Sequence, residues 1–190
     1  MILDRTQWQN TNMLMISLAW KKRAIRLYWK ILTHKGASNL TEQKSVIRPV
    51  LRLLKGQKII ITADREFHSI FLSHWLKKYQ KLDVYFVFRQ KKTTMIKRGK
   101  KYCKLSESKV NIGENKLLFD KKITKNLNVK TYNLLNYKKQ KYRQKSVLDK
   151  WYILSNLSSP EKNKKIYSQR MGIEAMFKDY KTGGYNSCIS

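Results

Sequence analysis

Acidic residues are scarce in this sequence: 12 Asp and Glu face 42 Lys and Arg, a formal charge of +30 over 190 residues. With so few carboxylates, one that falls at a strand end or beside an apolar helix face is a candidate for chemistry. Cysteine is scarcer still. Cys103 and Cys188 stand alone without ligand spacing, and His34, His68 and His74 do not complete a Cys/His set, which argues against a zinc module or a thiol enzyme. No apolar run approaches the roughly 18 residues of a membrane span, and Met1-Ile-Leu-Asp4 meets charge at once, unlike a signal peptide. The expectation is a soluble, cytoplasmic chain with no membrane partner. Glycine-rich phosphate loops, internal repeats and a basic helix with a heptad zipper are all missing. Their absence counts against a nucleotide-hydrolysing motor and a dimeric transcription factor.

What is present is a globular composition carrying a strong positive field. Apolar residues make up 42% and aromatics 12%, enough to fold despite 28% charge. A chain this basic attracts polyanions, and nucleic acid is the commonest partner for the pattern. The length suits one domain, or one domain with a sizeable insertion.

Residues 1–33 hold short apolar runs separated by Gln9-Asn10-Thr11-Asn12 and Lys21-Lys22-Arg23, read as three strands in an antiparallel meander with Asp4 in the first. Asn39 and Glu42 form a capping-box pair ahead of a helix with Leu40, Ile47, Val50, Leu51 and Leu54 at helical spacing. Pro49 either kinks that helix or marks its start. Lys58-Ile-Ile-Ile-Thr-Ala-Asp64 reads as a strand buried on both faces and ending in an acid, where open α/β sheets place ligand sites. The lesser alternative is that Asp64 serves as the N-terminal acid of the next element. Ser69 then caps a helix with Phe71, Leu72, Trp75, Leu76 and Tyr79 on its buried face, and Asp83 to Arg89 returns as another strand.

From Lys91 to Lys150 the character changes, with nineteen Lys and Arg against four acids and with Tyr102, Tyr132, Tyr137 and Tyr142 interleaved. The reading is an inserted β-rich lobe with a small core of its own, its basic edges suited to nucleic-acid backbone. The organisation expected is therefore residues 1–90 as the first part of a core, 91–150 as a basic insertion and 151–190 as the last part.

Ser159-Pro160-Glu161 starts a further helix and Gly183-Gly184 stops it. Within it, at about 100° per residue, Tyr167, Arg170, Glu174 and Lys181 fall in one narrow stripe beside Ile166, Ile173, Phe177 and Tyr180. A metal-binding acid with phosphate-holding neighbours has this form, and so does a basic surface helix with one acid.

Those four residues resemble the Y-x2-R-x3-E-x6-K signature of the DDE transposases of the insertion-sequence-four type. Ile61-Thr-Ala-Asp64-Arg-Glu-Phe67 is similar to the second-aspartate motif of that family, and Ile2-Leu3-Asp4-Arg-Thr-Gln-Trp8 to its first-aspartate strand. The resemblance implies an α/β, ribonuclease H-like mixed sheet flanked by helices, with a β-rich insertion before the last catalytic helix. It implies catalysis and metal binding by Asp4, Asp64 and Glu174, which would hold two Mg²⁺ or Mn²⁺ ions, and DNA-phosphate contacts from Tyr167, Arg170 and Lys181. Transposon ends and target DNA are the implied partners, on the nucleoid if the source is bacterial, with dimers in full-length relatives. Trp151 is a candidate for stacking a flipped base, or an ordinary core tryptophan. Against the family pattern the chain reads as a core truncated at both ends, its first strand nearly severed. That leaves open a catalytically dead DNA-binding remnant and, from the charge alone, an unrelated RNA-binding protein.

Overall fold

Two tight turns set the first sheet edge. Ile2–Trp8 (β1), Thr11–Trp20 (β2) and Arg23–Leu32 (β3) form an antiparallel meander, with Gln9 (φ 51°) and Lys21 (φ 53°) in left-handed conformations at the corners. The computed structural model describes residues 1–21, 23–111, 113–123, 132–138 and 150–182, and the side chains of Trp8, Asp179, Tyr180, Lys181 and Thr182 are outside what it describes. Expectations for Tyr142, Cys188 and the Gly183-Gly184 stop also lie outside the described residues.

The remaining strands are Ile59–Ala63 (β4), Val84–Arg89 (β5), Met95–Arg98 (β6), Lys101–Lys104 (β7), Asn115–Lys121 (β8), Tyr132–Lys138 (β9) and Lys150–Ser155 (β10). The helices are Leu40–Leu53 (α1), Ile70–Lys77 (α2), Pro160–Ser168 (α3) and Met171–Thr182 (α4). One eight-stranded sheet runs β3-β2-β1-β4-β5-β10-β9-β8, and β6-β7 make a separate hairpin. β1, β4 and β5 are mutually parallel in the middle, whereas β10, β9 and β8 continue the sheet antiparallel. This is the mixed α/β, ribonuclease H-like architecture expected. β1 is not a severed strand: its seven residues pair with β2, and Ile2 and Leu3 pair with β4.

The period-2 alternation of the strands sorts side chains onto two faces. Leu3, Leu14, Ile16, Ile61, Phe86 and Phe88 pack with Val46, Ile47 and Val50 of α1 and with Leu72 and Leu76 of α2. Their sequence neighbours point the other way: Val87, Leu135 and Ile153 meet Tyr167 of α3, and Ile2 and Met15 meet Ile173 and Met176 of α4. Two helices thus cover each face, which lets the central strands be apolar throughout.

The capping box at Asn39 and Glu42 forms, and α1 runs through Pro49 without ending. Phe71 departs from its expected place on a buried face. It is 55% exposed, because α2 turns Ile70, Leu72, Trp75 and Leu76 inward instead. The 91–150 segment is β-rich but shares its packing. Ile96, Leu105, Ile123, Tyr132 and Leu134 join the α1–α2 side of the main core, since β9 is hydrogen-bonded to β10 and its alternate residues reach both faces.

The largest difference is at the C-terminal helix. In place of one helix through Tyr167 and Lys181, α3 ends at Ser168 and α4 begins at Met171. The backbone N–H groups of Gln169, Arg170, Gly172 and Ile173 each donate to the carbonyl three residues earlier, at 3.0–3.1 Å, which tightens the chain into a turn between the two helices. The four signature residues therefore do not share one helical stripe: Tyr167 is on α3, Arg170 in the turn, Glu174 and Lys181 on α4.

Candidate active site

Parallel pairing puts the first two acids side by side. Leu3 is registered with Ala63, so the next residues along the neighbouring strands are Asp4 and Asp64. Asp4 is held within β1 opposite Met15, and Asp64 directly follows β4. The third acid arrives by packing. Ile173 and Met176, three apart on α4, are both buried against Ile2 and Met15, and this docking brings Glu174, in the first turn, to Asp4 of β1 and to Asp64 after β4.

Arg170 joins the three. It is 6% exposed, its Nη1 lies 3.2 Å from Asp4 Oδ2, its Nη2 lies 3.9 Å from Asp64 Oδ2, and Nη2 also donates to Glu174 Oε1. The Tyr167 hydroxyl donates to Asp64 Oδ1 at 3.1 Å. An open cleft lined by Asp4, Arg5, Thr6, Asp64, Phe177 and Lys178 leads to the cluster. Lys181 lies on α4, and its side chain is outside the described residues.

The acids differ in character. Burial pushes Asp4 up to about 6, against the pull of the Arg5 backbone N–H and of Arg170, while Asp64 and Glu174 raise it further. Burial works on Asp64 too, but the Arg65 N–H, Arg170, the Tyr167 hydroxyl and Arg89 outweigh it and hold its carboxyl below the usual value. Burial and then Asp64 push the Tyr167 phenol up to about 12, so it is a donor at neutral pH. Arg170 is desolvated, yet Asp64, Tyr167, Asp4 and Glu174 together hold it more firmly protonated than a free arginine.

Two groups escaped the sequence reading. Arg89, buried at the end of β5, has Nη1 3.8 Å from Asp64 Oδ1; its one signal was its place at the end of the strand next to β4. Arg5 reaches Glu66 at 2.8 Å and Asn12 at 2.9 Å, while Asn12 donates to the carbonyls of His34 and Gly36. This network braces β1 against the turn after Asp64 and leaves no local signature. Trp151 is half-buried edge-to-face against Tyr167 and Tyr137, with centroids 4.9 and 5.6 Å away, so it supports the tyrosine that bonds Asp64.

Among the described residues no group of His, Cys, Asp and Glu is arranged ready to hold a metal ion. The donor set nevertheless suits one. Three carboxylates lie within reach of a single guanidinium, and hard oxygen donors are what Mg²⁺ and Mn²⁺ take.

Comparison with curated proteins returns no match. Among solved structures the chain is similar to piggyBac transposase, in a cryo-EM structure of its synaptic complex with hairpin DNA. The TM-score is 0.58 at 17% identity, over 95% of this chain and 40% of that one, a likeness of fold spanning about two fifths of the longer protein. The family model for the transposase DDE domain matches residues 26–188, beginning within β3, so Asp4 is placed by the sheet rather than by that match. Because the matched span takes in Asp64, Arg170 and Glu174 and most of the chain, this protein belongs to the transposase DDE domain family.

Proposed function

We propose that the chain is the catalytic core of a DNA transposase of the insertion-sequence-four type, which cuts DNA strands and joins them to a target. The convergence of Asp4 within β1, Asp64 at the end of β4 and Glu174 on α4 carries this reading. An unrelated RNA-binding protein has no need to gather three of its 12 acids around one buried arginine. Family domains of this kind generally work with divalent metal ions, and here Asp4, Asp64 and Glu174 would hold two of them, Mg²⁺ or Mn²⁺. Such ions, when bound, supply Lewis acidity that activates a water or 3′ hydroxyl and neutralises the leaving oxygen.

The protein's own groups do the rest. Asp4, whose pKa burial raises to about 6, must lose its proton before it can act as an oxygen ligand. Tyr167, through Trp151 and Asp64, fixes the direction of the second acid. Arg170, Tyr167 and Lys181 hold DNA phosphates, the guanidinium by a two-pronged contact and the ammonium as a point charge. Residues 1–90 and 151–190 carry the catalytic acids, and the basic 91–150 segment, part of whose residues share the main core, lies along the DNA.

Supercoiled plasmid incubated with the protein and Mn²⁺ tests the reading. Nicking is expected for the unmodified chain and its loss for Asp64→Ala, with DNA binding that weakens steeply as salt rises. Equal nicking by both proteins overturns the catalytic assignment. Salt-sensitive binding without nicking by either identifies a DNA-binding remnant.

A further inference from the structure

We infer that Arg170 is the resident cation of the acidic site, and that metal ions enter as its guanidinium swings out toward a DNA phosphate. This rests on the reading of Asp4, Asp64 and Glu174 as the metal-holding acids. It goes further by making one side chain alternate between the acids and the substrate, so that metal loading and DNA binding are coupled.

Several features point the same way. Arg170 contacts all three acids, Asp4 and Asp64 through one oxygen each and Glu174 through Oε1. A guanidinium and a divalent ion cannot share those oxygens: like charges a few ångströms apart in a partly buried site repel strongly. Ionised, the three carboxylates carry more negative charge than the single guanidinium that reaches them all, and their hard oxygens suit a divalent cation better than a guanidinium.

The present position of Arg170 is also incompletely satisfied. Its Nε is buried without a hydrogen-bond partner, so one of its donors gains nothing from lying among the acids. The residue sits in the short turn between α3 and α4, where its side chain can change direction without unwinding either helix. The cleft beside it opens past Phe177 and Lys178, and a phosphate there would accept the forked contact that the carboxylates now receive. Arg170 is thus a positioning residue: without metal it keeps the three acids together, which their mutual repulsion opposes.

Mn²⁺ binding to the full chain, measured by the electron paramagnetic resonance of the free ion without DNA, tests this. Arg170→Gln is expected to bind Mn²⁺ about tenfold more tightly or better, since removal of one opposing charge from a partly buried site is worth at least that. Arg170→Lys, which keeps the charge, is expected to stay near the unmodified protein. Melting followed by circular dichroism checks that the variants fold. In the unmodified protein, phenylglyoxal labelling read by peptide mass spectrometry is expected to increase at Arg170 when Mn²⁺ is added; an arginine with a purely structural role would show no change or greater protection. If Arg170→Gln does not melt cooperatively, the labelling result decides alone. Binding that Asp64→Asn abolishes but Arg170→Gln does not tighten, or labelling that does not rise, overturns this inference and leaves the metal-site reading standing. Mn²⁺ binding that is absent, or indifferent to Asp64→Asn, overturns both.

Discussion

Replacing Tyr167 with phenylalanine removes one hydroxyl from the wall of the site and little else. The ring is 4% exposed and packed edge-to-face on Trp151, 4.9 Å between centroids, and phenylalanine keeps those contacts. What is lost is the hydrogen bond to Asp64 Oδ1 at 3.1 Å and the hydroxyl's interaction with Arg89. Hydrogen bonds to charged groups contribute about 1.5–3 kcal/mol, but the Asp64 side chain is 30% exposed and water can take the donor's place, so a loss of about 1–1.5 kcal/mol is expected. Urea unfolding of the metal-free protein at neutral pH measures it, with the slope against urea unchanged. The loss should depend on pH with a definite sign. Asp64 is held below its ordinary value in the fold, so the stability it contributes is present above the unfolded value of 3.8 and disappears as pH falls through the folded one. The gap between Tyr167→Phe and the parent should therefore narrow in acid. A gap that is constant with pH, or one beyond about 3 kcal/mol, which only disturbed packing would produce, would falsify the assignment of the hydroxyl to Asp64.

Asp4 should behave in the opposite sense. Its folded value of about 6 lies above the ordinary 3.8, so the stability linked to its protonated form is full below about 3.8 and is lost as pH rises through 6. Across that window the metal-free parent should fall relative to Asp4→Asn by up to about 3 kcal/mol, the equivalent of two pKa units, and parallel stability curves would refute the burial argument. Ile173→Ala tests the docking of α4. Ile173 is fully buried with Ile2, Met15 and Met176, so the truncation should cost about 2–4 kcal/mol and, by loosening the helix that carries Glu174, weaken Mn²⁺ binding as well. A loss under about 1 kcal/mol would mean that other contacts seat the helix.

Much of the fold was legible because strand and helix periods come from covalent geometry. Short apolar runs between polar breaks marked β1 to β3, continuous apolar runs marked β4 and β5, the Asn39–Glu42 and Ser159–Pro160 pairs marked helix starts, and an acid after a β-branched run marked the end of β4. The break between α3 and α4 was hidden for the same reason. Helical spacing survives on each side of a single tight turn, and residue types do not show whether an N–H donates three residues back or four. The shared core of the 91–150 segment was hidden because it depends on β9 pairing with β10, an association of distant residues.

By itself the sequence determined which groups are present to do chemistry: a few acids at telling positions in a strongly basic chain, and elements whose periods show which faces are apolar. Only the tertiary structure decided which of those groups meet. The register of Leu3 with Ala63 brings Asp4 beside Asp64, the burial of Ile173 lowers Glu174 onto them, and the turn at Arg170 sends a guanidinium into the middle. Asp4 and Arg170, which meet here, are 166 positions apart; such contacts are set by sheet register and by packing of whole faces, and no local pattern encodes a distance of that kind.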